Sequence, residues 1–362
     1  MVNLVIFQSL RSFLTICLFS VASISFASGA EENTKKFDAV GHALHHASDA
    51  HDIHLWGAGE SSFSIPLPVI LYTDNGLVMF MSSGFHHDDH GHHVVEAGDQ
   101  KFVKIHEKIY QLNSGESEVE FDDKGQPENA IKSLDFSITK NVFTMFLVAG
   151  LMFFLFLKTA KFYKKDKQEA PRGVAGWLEP VILFVKNIAD ESIDKSRSAR
   201  YVPFLLTLFF FILFGNLLGL IPFISNPNMT GSISICLLLA SMVFITQMFS
   251  SRKYYWGHIF MPPGVPILLL PIMIPIEIAG IFIKPFSLMI RLFANITAGH
   301  IMVVSLISLI FIFENLAWSA VSVPFTLFIS LLEILVAFLQ AYIFTMLSAL
   351  YLGMAVEEPH HH

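Results

Sequence analysis

Uneven charge is the property that most limits what this chain can fold into. It carries 23 Lys/Arg and 30 Asp/Glu, but residues 201–362 hold only nine of them. These are Arg252, Lys253, Glu277, Lys284, Arg291, Glu314, Glu333, Glu357 and Glu358. A soluble domain is charged at about a quarter of its positions, so a half-chain this poor in charge cannot face water. It belongs in lipid, where every ionisable group that remains needs a reason to be there. Overall the chain is 15% charged with a mean hydropathy of +0.57. That excludes a disordered chain, a basic nucleic-acid binder and most cytosolic enzymes.

The first 30 residues read as a secretory signal: Arg11, an apolar run from Phe13 to Phe26, then small residues at Ser25 and Ala27. An uncleaved anchor is the alternative, and either one exports the segment C-terminal to it. Residues 31–136 form an acidic, His-rich exported segment with one hairpin expected in it, FSIPLPVILYT turning at Asp74-Asn75-Gly76 into LVMFM. The stretch from Asn113 to Glu128 reads as loop. Only Cys17 and Cys236 are present, so the mature chain has no internal disulfide to form.

Residues 137–358 read as an all-α, polytopic membrane domain of about five membrane helices, with a short tail at 359–362. Val142–Leu157 is the first span. The six Lys/Arg between Lys158 and Arg172 make the next stretch cytoplasmic by the positive-inside rule. Trp177–Ser192 is amphipathic and too polar to cross, so it reads as a surface helix. Tyr201–Pro222 and Ser232–Phe249 are the next two spans, returning to Arg252 and Lys253 on the same side as the first basic loop. Val265–Phe313 and Leu316–Val356 each far exceed the ~20 residues that a perpendicular span needs. They read as two long tilted helices joined near Glu314-Asn315, with prolines able to kink or end the first.

Glu277, Lys284 and Arg291 stand seven residues apart, about two helical turns, and so share a stripe. Asn295 lies one turn beyond Arg291, and His300 falls on the opposite side of the helix at 100° per residue. On the last helix Glu333 and Gln340 are again seven apart. Glu and His exchange protons, His near neutral pH. Arg never loses its proton, so a lone Arg among titratable groups blocks direct proton flow past itself. An Arg at the bilayer centre costs at least ~2.5 kcal/mol, and packing alone would not keep it there. Lys284 and Glu314 lie near helix ends, where an interfacial role explains them equally well.

The run Lys284-Pro285-Phe286-Ser287-Leu288-Met289-Ile290-Arg291-Leu292-Phe293-Ala294-Asn295, continuing to Ala298-Gly299-His300, resembles a signature of the a subunit of F-type ATP synthase. So do Asn216-Leu217-Leu218-Gly219-Leu220-Ile221-Pro222, and Glu333 with Leu339-Gln340-Ala341-Tyr342. The resemblance spans about residues 137–358 and implies a great deal. Arg291 would face a rotating c ring. Asn295, His300, Glu333 and Gln340 would line a proton path, with Ser287 and Lys284 in the same stretch, and Glu277 would serve a cytoplasmic half-channel. The implied setting is the bacterial inner membrane, N-terminal segment outside and C-terminus cytoplasmic. One copy per complex would work beside the c ring and a b-subunit peripheral stalk, with no cofactor and no nucleic acid. Some members carry a carboxylate where this chain has His300 and a His where it has Glu333. That exchange implies that the two positions are neighbours acting as a unit.

No G-x-x-x-x-G-K-[ST] run occurs, so ATP chemistry would belong to partner subunits and this chain would be no enzyme by itself. Ten of the 16 histidines cluster in the exported segment, His42, His45, His46, His51 and His54, then His86, His87, His90, His92 and His93. Such clusters bind zinc or copper, feed protons, or simply form a solvated loop. A stand-alone metal transporter with these histidines as its collecting loop is the rival reading. Its candidate ligands would include His42, His45, His46, His86, His87 and His90. Arg291 argues against it, because a fixed cation repels a metal ion.

Overall fold

The computed structural model describes residues 49–357 except 57–62, 114, 117, 123–126, 166–171, 222–228, 262–265 and 313–318. The signal region, His42, His45, His46, Glu314 and the C-terminal tail lie outside the described residues. The chain divides into two compact units.

The first unit carries β structure well beyond the single expected hairpin. Its strands are β1 (Asp52–Trp56), β2 (Phe63–Pro66), β3 (Pro68–Thr73), β4 (Gly76–Met81), β5 (His90–Ala97), β6 (Gln100–Ile105), β7 (Lys108–Leu112), β8 (Ala130–Lys132) and β9 (Leu134–Asp135). They form three antiparallel sheets, β1-β2, β4-β3-β9 and β5-β6-β7-β8. The hairpin read from the sequence is β3-β4, with Thr73 opposite Gly76 and Asp74-Asn75 as the turn. Gly76 has φ 112°, a conformation that glycine takes without strain. Alternation fixes the core: Val69 and Leu71 of β3, with Val78 and Phe80 of β4, point inward onto Phe85, Phe102 and Ile109.

The β6-β7 turn is made by His106 and Glu107, both at positive φ (49° and 59°) where Asn-Gly is the usual pair. Asp89 offsets that strain. Its carbonyl accepts the His106 N–H at 3.1 Å and its carboxylate accepts the Glu107 N–H at 2.6 Å.

Among the described residues five helices are long and apolar enough to cross a membrane. These are α1 (Lys140–Lys165), α3 (Lys195–Gly219), α4 (Ile233–Ser250), α6 (Leu270–Ile312) and α7 (Ser319–Val356), with α2 (Val174–Ser192) and α5 (Lys253–Phe260) between them. The start of α1 is capped from far away in sequence. Asp49 accepts the Asn141 N–H at 3.0 Å and the Thr139 hydroxyl at 2.9 Å, and the Ala50 carbonyl accepts the Lys140 N–H at 2.9 Å. Helix N-termini leave such N–H groups without partners and favour a nearby anion. The amphipathic α2 buries Ala175, Leu178, Val185, Ile188 and Ala189 along one face.

α6 runs unbroken for 43 residues, about 65 Å, through Pro275 and Pro285. Against a ~30 Å hydrocarbon layer such a helix must run obliquely or project. α7 has 38 residues. Its C-terminal carbonyls are satisfied in the second unit: the Arg197 guanidinium donates to Val356 O, and the Arg252 N–H to Ala355 O at 3.1 Å. Gly353 lets the Ser192 carbonyl approach so closely that a Cβ there would overlap it.

Candidate functional site

The residues singled out in the membrane half lie on α6 and α7. The inward face of α6 is Ile281, Leu288, Leu292 and Ile296, spaced by seven, four and four. Glu277, Lys284 and Arg291 run beside it, about a quarter turn away, and each is partly buried. Ser287 is partly buried and Asn295 exposed. Lys284 Nζ stands 5.6 Å from the centre of the Tyr351 ring, which ties this stripe to α7 by a cation–π contact. Among the described residues no carboxylate pairs with Arg291.

On α7 the inward face is Glu333, Ala337, Gln340, Ala341, Phe344 and Ser348, so the carboxylate and the amide share one side with small residues. Glu333 is 9% exposed and Gln340 2%. Small residues bring a neighbouring helix close. Gly299 of α6 is in such contact, since a Cβ there would stand 2.9 Å from Glu333 Oε1. Glu333 therefore packs against the residue next to His300. The His300 backbone is helical, and its side chain lies outside what is described.

Four polar residues to which the sequence alone assigned no role hold this region. Asn216 of α3 is buried and donates to the Ala337 carbonyl at 3.4 Å, one turn beyond Glu333, and it accepts the Thr230 hydroxyl at 2.6 Å. Gln247 of α4 is buried and donates to the Tyr255 hydroxyl at 3.1 Å. Tyr255 packs with Ile259 and Ile281, one turn from Glu277. The signal for Asn216 and Gln247 was available: each is a lone amide in an apolar run, where a polar side chain needs a partner.

The histidines of residues 42–93 divide in a way that composition does not show. His51 is 2% exposed, not part of a solvated loop. Its Nε2–H donates to Asp135 Oδ2 at 2.9 Å, and its Nδ1 stands 3.5 Å from Glu107 Oε2, at ion-pair rather than hydrogen-bond length. Lys104 Nζ in turn contacts Glu107 at 3.3 Å and Asp89 at 3.9 Å. Burial pulls the His51 pKa down, but the bond to Asp135 and the Glu107 carboxylate outweigh it and hold it at about 9. Burial likewise raises Glu107, yet His51 and Lys104 win and hold it at about 2.

His86, His87 and His93 line an open cleft of about 640 Å³ with Asp52 and Ser64, and His87 Nδ1 meets Asp52 Oδ2 at 2.9 Å. His90 instead packs beside His92. Among the described residues no three His, Cys, Asp or Glu side chains converge as metal ligands do.

Fold and side chains together define a class: a multi-span helical membrane protein whose two longest helices carry a fixed cation, carboxylates and amides through apolar surroundings. A family model described as ATP synthase A chain matches residues 142–353. The chain is 43% identical over 240 residues to the ATP synthase subunit a of Chloroherpeton thalassium, covering 65% of this chain and 71% of the relative. It is 47% identical over 236 residues to that of Myxococcus xanthus, covering 63% and 76%. Against the ATP synthase subunit a of Chlorobium phaeobacteroides strain BS1 it is 43% identical over 279 residues, 74% and 79%. The chain belongs to the ATP synthase A chain family. A second family model, described as a domain of unknown function, matches residues 42–136.

Proposed function

We propose that this chain is the proton-translocating stator subunit of an F-type ATP synthase, supplying two offset half-channels to a rotating c ring. A b-subunit stalk holds it still, and the ATP chemistry belongs to other subunits. In this reading it sits in a bacterial inner membrane with residues 31–136 outside and the end of α7 in the cytoplasm, after a signal in residues 1–30 is removed.

The observation that carries the reading is Arg291: a permanent cation on a membrane helix, with no carboxylate paired to it among the described residues. A cation left free in this setting attracts the carboxylate of a passing partner and makes it release its proton. Glu333, packed against Gly299 beside His300, supports an intake path on one side of that barrier. Asn295 and Gln340 supply hydrogen-bonding groups near it, and Lys284 and Ser287 continue the stripe. Glu277 supports the exit path. A ring carboxylate neutralised at the intake crosses lipid cheaply, because a buried ion is expensive and a neutral acid is not.

Arg291→Ala in the assembled complex is expected to abolish proton-driven ATP synthesis while the subunit still accumulates. Synthesis at the unmodified rate would end the reading. Glu333→Gln and His300→Ala are each expected to slow proton transport without loss of assembly. Unchanged rates in both would move the intake path elsewhere.

A further inference from the structure

The sheet β4-β3-β9 has two faces of opposite character, and only the inward one belongs to the core. On the outward face the register sets three rows across the strands: Leu77, Tyr72 and Leu134; Met79, Ile70 and Phe136; Met81, Pro68 and Ile138. The last two rows are completed beyond β9 by Phe136 N–H to Ile70 O at 2.9 Å and Ile138 N–H to Pro68 O at 3.1 Å. Eight of the nine side chains are apolar, the ninth is Tyr72, and none is charged. Six of them, Tyr72, Leu77, Met79, Met81, Leu134 and Phe136, are 47–65% exposed. The outer face of an antiparallel sheet in water is normally polar. With each large side chain offering about half of its ~200 Å², the patch is on the order of 600 Å², at the upper end of what a monomer leaves bare and of a size that marks interaction sites.

Chain continuity identifies what covers it. Residues 136–139 join β9 directly to α1, whose apolar run opens at Val142. At ~3.4 Å per extended residue, Phe136 lies within about 14 Å of Lys140 and Leu134 within about 20 Å. The ladder bonds at Phe136 and Ile138 keep the whole face attached to that linker, so it stands at the membrane boundary. Charge points the same way. Residues 31–141 hold 8 Lys/Arg against 19 Asp/Glu, which repels an acidic partner, whereas the face itself offers only apolar surface and one tyrosine. Tyrosine favours the bilayer interface.

We propose that this sheet face docks on the lipid bilayer beside the start of α1, its rows of Leu, Met and Phe dipping into the headgroup–acyl boundary.

The test places the photoreactive residue benzoylphenylalanine at Met79, and separately at Leu134, in the full chain within its complex in phosphatidylcholine membranes. Exposed Glu96, on another sheet, serves as control. Using two positions guards against a local effect of either substitution. Irradiation is expected to give several-fold more phosphatidylcholine adduct at Met79 and Leu134 than at Glu96, unchanged by high salt because apolar contact drives it. Adducts to polypeptide, whether a partner subunit or residues 1–48 of this chain, would overturn the proposal by naming a protein cover. Lipid adduct no higher than at Glu96 would overturn it by leaving the face in water.

Discussion

A Cβ added at Gly299 would stand 2.9 Å from Glu333 Oε1, and one added at Gly353 would overlap the backbone carbonyl of Ser192. The two glycines look alike in sequence, each flanked by apolar stretches of a long helix, but they meet different obstacles. The first meets the free end of a flexible side chain, which can swing aside. The second meets main chain, which cannot move without shifting α2. Gly299→Ala is therefore expected to leave the subunit at normal abundance but to displace the Glu333 carboxylate and slow proton pumping several-fold. Gly353→Ala is expected to destabilise the packed helices by roughly 1–3 kcal/mol, the usual range for overpacking. That would appear as lowered thermal stability of the purified complex. If Gly299→Ala pumped at the unmodified rate, the position of Glu333 would not matter to transport.

At the scale of elements, His51 joins two pieces distant in sequence: β9 through Asp135 and the β6-β7 turn through Glu107. Its pKa is raised from 6.5 to about 9, so its stabilisation is complete below pH 6.5 and is lost as pH rises through 9. Glu107 is depressed from 4.5 to about 2, so its share is complete above pH 4.5 and is lost as pH falls through 2. The clasp is strongest between those windows. His51→Gln is expected to remove roughly 3 kcal/mol of pH dependence between pH 6.5 and 9. Amide exchange at Leu134 and Asp135 in the full chain reads this directly: faster at pH 9 than the intrinsic rate predicts in the parent, flat in the variant. A parent without that extra opening would refute the clasp. None of this was legible in the sequence, because nothing local to His51 announces partners at positions 107 and 135. The same holds for Asp49, which caps a helix starting at Lys140. By contrast, the five spans were legible, since apolar length and flanking charge are local properties, although α1 runs eight residues past Leu157 and α3 begins six before Tyr201, where charged residues extend the helices beyond their apolar runs. The Asp74-Asn75-Gly76 hairpin was legible for the same reason, and so was the Glu333 and Gln340 face. The long helix read through the prolines is the one that forms, with Pro275 and Pro285 inside an unbroken α6.

Across the whole molecule, charge and chemistry are segregated. Every residue proposed for proton transfer lies between Glu277 and Gln340. The ATP synthase A chain match begins at residue 142, and residues 42–136 match a separate family. The β structure has its own buried core, built from Val69, Leu71, Phe85, Phe102 and Ile109 of that segment alone. Its described ties to α1 include the caps from Asp49 and Ala50, the linker after β9, and the attraction of Asp49, Glu107 and Asp52 for the buried Lys140 ammonium. Losing a cap costs about 1 kcal/mol, and Thr139, whose hydroxyl reaches the Val142 N–H at 3.5 Å, remains as a local substitute. Removing residues 31–136 while keeping residues 1–30 and 137–362 is therefore expected to leave proton pumping in membrane vesicles at a substantial fraction of the parent rate. The start of α1 should become more open, seen as faster amide exchange over residues 140–144. If the histidines of residues 42–93 fed the intake path, the shortened chain would instead assemble fully and yet pump many-fold more slowly. Fluorescence quenching of a pH-sensitive dye, normalised to the amount of assembled complex, distinguishes the two.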